Sequence, residues 1–211
     1  MTLFDFLARH RAGRRQRLPP VVLGASNNPA GVDDLPQPEP GGATELATLG
    51  AGCFWCLDAI ARRTTGITSS VVGYAGGSTA PPSYEQSHDP AFAHVEAVQL
   101  VFEPAVTTFR AILDLFFRSH DPTVANRDGA NRGSEYHSTI FYHSDQQRDI
   151  AEAATNYCEG LLGRPIRTSI RPFTTFFPAE LEHQDFFGAN PTHPYCTFVV
   201  IPKLEKALRG P

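Results

Sequence analysis

The chain has 211 residues, with 18 Lys+Arg against 22 Asp+Glu and a formal charge of −4. That length fits one domain with room for an arm, and 41% apolar with 19% charged residues excludes a disordered or fibrous chain. No apolar run approaches the ~18 residues of a membrane helix, and the slightly acidic total argues against nucleic acid as the main partner.

Residues 1–43 hold six of the 18 prolines and five glycines and read as a flexible N-terminal arm. Residues 44–211 read as one folded domain. The first 20 residues carry five arginines and lack the apolar core of a secretory leader, so the cytoplasm is the expected compartment.

In chain order, Glu45–Ala51 reads as a strand running into Gly52. Cys53–Thr65 has the helical stripe Cys53, Cys56, Leu57, Ile60, Ala61 and Thr64, and Gly66 ends it. Ile67–Tyr74 is a second strand, stopped by Gly76-Gly77. A polar loop over 78–93 precedes a third strand, His94–Phe102. Thr108–His120 is a helix with Phe109, Ile112, Leu113, Phe116 and Phe117 on one face, ended by Pro122. The loop Asp121–Glu135 leads to the strand Tyr136–His143. A capping box at Ser144–Gln147 then opens a helix striped by Ile150, Ala153, Ala154, Tyr157, Cys158, Leu161 and Leu162. Ile166–Arg171 is a fifth strand, and Ala179–Phe187 a short helix before an irregular tail. The fold class is therefore α+β, a mixed sheet with helices packed on it. Its first six elements give a ferredoxin-like βαββαβ core with N- and C-terminal extensions.

The four cysteines, Cys53, Cys56, Cys158 and Cys196, are too few for a disulfide scaffold, and a CxxC pair in a cytosolic-type chain points to redox chemistry or metal binding. No zinc site is expected, because the pair has no second pair at metal-ligand spacing. Cys158 sits on an apolar stripe and reads as core. Cys53 follows a strand and a glycine at the head of a helix, where unpaired N–H groups and the helix dipole are expected to lower a thiol pKa. Gly52 is expected to leave room for a substrate. Phe54 and Trp55 cannot both face the core, so at least one is expected to line a pocket beside the sulfur. The plainer alternative is that Cys53 is a buried small hydrophobe.

GCFW, followed in order by GYAGG, PSYEQ, HVEAV, HDP, NRGSEYHS, AELEHQ and NPTHPYC, resembles the A-type peptide methionine sulfoxide reductases, which act on the S epimer. The resemblance spans about Glu45–Lys206. It implies Cys53 as nucleophile, Phe54 and Trp55 as the pocket for the S-methyl group, and Glu96 as the acid that protonates the sulfoxide oxygen. It also implies Tyr84 and Tyr136 as phenols that hydrogen-bond that oxygen. The chemistry asks for such groups: a sulfoxide oxygen leaves only with protons, and an acid buried among apolar groups keeps its proton near neutral pH. Attack leaves a sulfenic acid on Cys53, which a second thiol condenses to a disulfide. Cys196, in HPYC, matches the family's resolving cysteine on a flexible tail and is preferred. Cys56, three residues from Cys53, remains the alternative, and a relay through both is open.

No metal or organic cofactor is implied. The resemblance implies thioredoxin or a similar dithiol as reductant and oxidised proteins or free methionine sulfoxide as substrates, and the chain is expected to be a monomer. Asn131 stands where most members have Asp, Glu135 where they have Gln, and His137 where they have Arg. This bears on how Asn131 holds the substrate and positions the tail. Phe186 replaces a common Tyr after HQ, and His183 in that motif reads as a tail support, a cap or a core residue. Two rivals remain: a general CxxC thiol–disulfide oxidoreductase, and a methionine sulfoxide binding module without turnover.

Overall fold

The computed structural model describes residues 44–77, 86 and 89–208. The expectations for the arm and for Tyr84 fall outside the described residues.

Six strands form one mixed sheet in the order β7-β6-β1-β3-β2-β8. They are β1 (Glu45–Gly50), β2 (Ile67–Ala75), β3 (Val95–Phe102), β6 (Thr139–Tyr142), β7 (Ser169–Pro172) and β8 (Phe176–Pro178). All pairs are antiparallel except β6 with β7. Between β3 and β6, β4 (Arg127–Asp128) and β5 (Asn131–Arg132) make a separate two-stranded hairpin. The sequence had read that hairpin as plain loop, and two-residue strands carry no periodicity from which to read them.

The α-helices among the described residues are α1 (Phe54–Ala61), α2 (Phe109–Ser119), α3 (Asp145–Leu162), α4 (Phe186–Ala189) and α5 (Ile201–Leu208). The expected α+β class with helices packed on a mixed sheet is what is observed. Alternation along β3 sends Val98, Leu100 and Phe102 into the main core, where they meet Phe54 and Leu57 of α1 and Ile112, Leu113 and Phe116 of α2. Glu96 shares that face. The opposite face holds a smaller cluster, Ala75, Val95, Ala97 and Phe141, flanked by Phe173 and Phe176.

Caps set the helix boundaries. Thr108 accepts from the Ala111 N–H at 3.2 Å to start α2, and Ser144 accepts from the Gln147 N–H at 3.2 Å to start α3. The Gln147 side chain accepts from the His143 N–H and donates to the Leu46 carbonyl, tying α3 to β1. Gly163, left-handed at φ 59°, closes α3.

Several expectations are corrected. Helix α1 stops at Ala61, short of Thr65, and all its residues but Trp55 are buried, so it is a core helix rather than a one-sided stripe. The buried face of α3 is Gln147, Ala151, Ala154 and Cys158, while Tyr157 and Leu161 of the expected stripe are exposed. The fifth strand shrinks to β7. The stretch 179–187 is a 3₁₀ turn at Leu181–His183 plus the start of α4, preceded by the unexpected β8. The tail is not irregular: a π-helical segment, Cys196–Val200, runs directly into α5. That helical stretch lays Cys196, Val200, Leu204 and Ala207 against Cys53, Cys56, Ala59 and Ile60.

Candidate active site

The site is built where β1 ends and α1 begins. Cys53 is the N-cap residue of α1, with no side-chain cap bond of its own. Two carboxylates from elsewhere in the chain fill that role: the Cys53 N–H donates to Asp128 Oδ2 at 3.1 Å, and the Phe54 N–H donates to Glu96 Oε2 at 3.0 Å. Gly52 is needed because its φ is +76° and because a Cβ there would lie 2.3 Å from Asp128 Cβ. The space expected for a substrate at Gly52 is thus taken by Asp128.

A cavity of about 170 Å³ opens at this junction, lined by Cys53, Phe54, Trp55, Glu96, Asn131, Tyr136, His183 and Tyr195. It brings together Cys53, Phe54, Trp55, Glu96, Asn131 and Tyr136 of the residues singled out in the sequence; Cys56 and Cys196 pack behind Cys53 instead. Both aromatics after Cys53 line it. Phe54 is buried in the main core, and Trp55 is half-buried rather than exposed. Trp55 is clamped by Phe186, stacked at 3.7 Å between ring centroids, and by the edge of Tyr195 at 5.5 Å. Phe186, which stands where the family commonly has Tyr, supplies this stacking surface.

Three thiols share one cluster. Cys53, Cys56 and Cys196 are 5%, 1% and 0% exposed and are packed together. Burial, then the hydrogen-bonded Cys56 thiol, push the Cys53 pKa well above the ordinary thiol value, with the Tyr195 hydroxyl pulling it back. The expectation of a lowered pKa is therefore corrected: the Trp55 N–H at the helix start lowers it, but not enough to offset burial and the Cys56 thiol. Burial and the proximity of Cys53 also raise Cys196. Burial raises Cys158 to about 11 within the main core, consistent with packing.

Glu96 is 4% exposed. Burial first, then Cys53, hold its pKa well above the carboxylate range, with Glu135 and Asp128 adding to the rise and the Phe54 N–H opposing it. Asn131 Nδ2 donates to the Tyr195 hydroxyl at 2.9 Å, so the residue in place of the usual Asp fixes the phenol beside Cys53 and Cys196. His137 lies away from the cavity, bridging Asn126 and Ser169.

Three residues were not found from the sequence. Tyr195 was quoted only as the neighbour of Cys196. Asp128 lay in a polar loop, and Lys203, its ion-pair partner, lies in the supposed tail. Nothing local marks a pair so distant in the chain. The HQ motif divides its work: Gln184 bonds Val72 N, Val72 O and Ala179 O, extending the β2 edge, while His183 faces the cavity.

Among the described residues no group of three or more His, Cys, Asp or Glu could hold a metal ion, and no helix is long and apolar enough to cross a membrane. A buried thiol, a carboxyl whose pKa burial raises and an aromatic pocket in one small cavity suit binding of an uncharged sulfur substrate.

The family model described as peptide methionine sulfoxide reductase matches residues 45–210. The chain is 46% identical over 166 residues to the peptide methionine sulfoxide reductase MsrA of Thermus thermophilus, covering 79% of this chain and 94% of that relative. It is similar to the crystal structure of reduced Mxr1 from Saccharomyces cerevisiae, with a TM-score of 0.71, 32% identity, and coverage of 76% and 92%. Mxr1 in complex with Trx2 aligns with a TM-score of 0.51 and 28% identity, covering 71% of this chain and 88% of that one. On these matches, this chain belongs to the peptide methionine sulfoxide reductase family and is a methionine sulfoxide reductase.

Proposed function

We propose that the chain reduces the S epimer of methionine sulfoxide, free or in proteins, with Cys53 as nucleophile, Glu96 as proton donor and Cys196 as resolving thiol. The observation that carries this reading is the placement, on one small cavity, of Cys53 and of a Glu96 carboxyl whose pKa burial raises well above the carboxylate range. The sulfoxide sulfur carries a methyl group, an oxygen and the chain. Phe54 and Trp55 take the methyl, Glu96 and Tyr136 face the oxygen, and Cys53 approaches the sulfur. Three assigned directions around a stereogenic sulfur select one hand. Tyr84 is proposed as a second donor to that oxygen.

The steps balance. Cys53 attacks sulfur while Glu96 gives its proton to the oxygen, a transfer that contributes about 10²–10⁴-fold. The net first half releases methionine and leaves the oxygen on Cys53 as a sulfenic acid. The Cys196 thiol displaces that oxygen as water and forms a disulfide, which an external dithiol reduces by exchange. The Mxr1–Trx2 complex supports a thioredoxin-like reductant. Cys56 is a second reading for the resolving thiol, favoured by its hydrogen bond to Cys53. The domain division at residue 43/44, a cytoplasmic location and a monomeric state complete the proposal.

Turnover of peptides carrying pure S- or pure R-sulfoxide, with a dithiol as reductant, tests it. Methionine from the S peptide alone, abolished in Cys53→Ser, is expected. Equal rates on both epimers, or activity surviving Cys53→Ser, would overturn it.

A further inference from the structure

One carboxylate holds two parts of the site at once. Asp128, 7% exposed, accepts from the Cys53 N–H at 3.1 Å through Oδ2. The same carboxylate is bonded through both oxygens to the Lys203 ammonium. Lys203 is one of only two lysines in the chain and stands on α5, in unbroken helical continuity with Cys196. Burial acts against its charge, but Cys56, Asp128 and Cys53 around it keep its pKa above the ordinary lysine value.

We propose that the Asp128–Lys203 ion pair is the clasp that holds the Cys196 segment against Cys53, making Lys203 a positioning residue for disulfide formation. This rests on the reading of Cys196 as the resolving thiol. Cys196 is fully buried; at the start of its segment the Tyr195 hydroxyl bonds Asn131 and Cys53, and beyond that the segment meets α1 through apolar contacts of Val200, Leu204 and Ala207, which are non-directional. A part-buried, charge-assisted ion pair held by both carboxylate oxygens anchors the segment at one point on the site. The step it serves is Cys53–SOH plus HS–Cys196 giving the S–S bond and water. The sulfenic S–O bond breaks, the thiol proton leaves with the oxygen, and no further oxidant is consumed. Holding the thiol in place raises its effective concentration.

The experiment is a reductant-free rapid-quench turnover with S-sulfoxide peptide, following methionine released and the Cys53–Cys196 bond in separate aliquots, with dimedone to trap sulfenic acid. Wild type must release about one methionine per enzyme and form Cys53–Cys196. A Cys53–Cys56 bond in wild type would overturn the resolving assignment and the clasp together. Lys203→Met keeps the aliphatic stem. It is expected to slow disulfide formation about tenfold more than it slows methionine release, with dimedone adduct accumulating at Cys53; Lys203→Arg restores the rate. The pair Asp128→Asn with Lys203→Met leaves no uncompensated charge. It is expected to show the same slow disulfide should Lys203→Met alone fail to fold. Wild-type disulfide rates in a folded variant without the pair would overturn the clasp alone, as would an equal slowing of both steps.

Discussion

The Phe54 amide donates to Glu96 Oε2 at 3.0 Å, so the first amide of α1 pins the acid of β3 one residue from Cys53. The bond also opposes the upward shift that burial and Cys53 impose on Glu96.

Glu96→Gln keeps that bond through the amide oxygen but cannot give a proton. The expected loss in kcat/KM is about 10²–10⁴-fold with little change in KM. Stability moves in a defined direction as well. With its folded pKa raised, Glu96 keeps a proton that the unfolded chain releases, so native stability falls as pH rises above the unfolded carboxyl range. Urea midpoints measured against pH should fall less steeply on the alkaline side for Glu96→Gln than for wild type.

Gly52→Ala combines a φ of +76° with a Cβ 2.3 Å from Asp128 Cβ. Asp128 is held by the Cys53 N–H and by Lys203, so it cannot swing away freely. A loss of about 2 kcal/mol or more is expected in denaturant titration, with activity lost further than stability.

Tyr195→Phe removes the hydroxyl that Asn131 supports and that lowers the Cys53 pKa. The expected result is a roughly tenfold drop in kcat, the size of one hydrogen bond to a developing charge. Iodoacetamide should also alkylate Cys53 more slowly near neutral pH in the variant, and a competition assay against wild type measures both.

His120 is buried, its ring nitrogens bonded to the Phe116 carbonyl and the Ser138 hydroxyl. Burial first of all lowers its pKa from 6.5 to about 4. The unfolded chain takes up a proton that the native state refuses, so stability is complete above about pH 6.5 and falls as pH drops toward 4. The loss is on the order of 3 kcal/mol. His120→Gln should flatten this acid slope in denaturation curves. His143, also lowered to about 4 by burial, leaves a residual slope.

The junction at Cys53 was legible because its signals are local: a strand, a glycine, and aromatic residues after the sulfur. Helix α2 was legible for a similar reason, with five apolar residues on one face, a Thr cap and a proline beyond. Helix α3 misled because its apolar residues lie on more than one face, and small side chains, Ala151 and Ala154, do the packing. The C-terminal helix was missed because Pro202 interrupts a short apolar pattern, yet in the structure Pro202 lies inside the continuous helical stretch that begins at Cys196. The raised pKa of Cys53 was not legible at all. It depends on burial under segments distant in the chain, the Cys196 segment among them, and on the Cys56 thiol, which together outweigh the Tyr195 hydroxyl and the Trp55 N–H.

The measurement that tests the central claim most directly is one reductant-free turnover with S-sulfoxide peptide, counting methionine per enzyme and mapping the new disulfide by mass spectrometry. About one methionine per enzyme, with a Cys53–Cys196 bond and none formed in Cys53→Ser, is the expected result. No methionine from either epimer, or methionine without oxidation of Cys53, would contradict it.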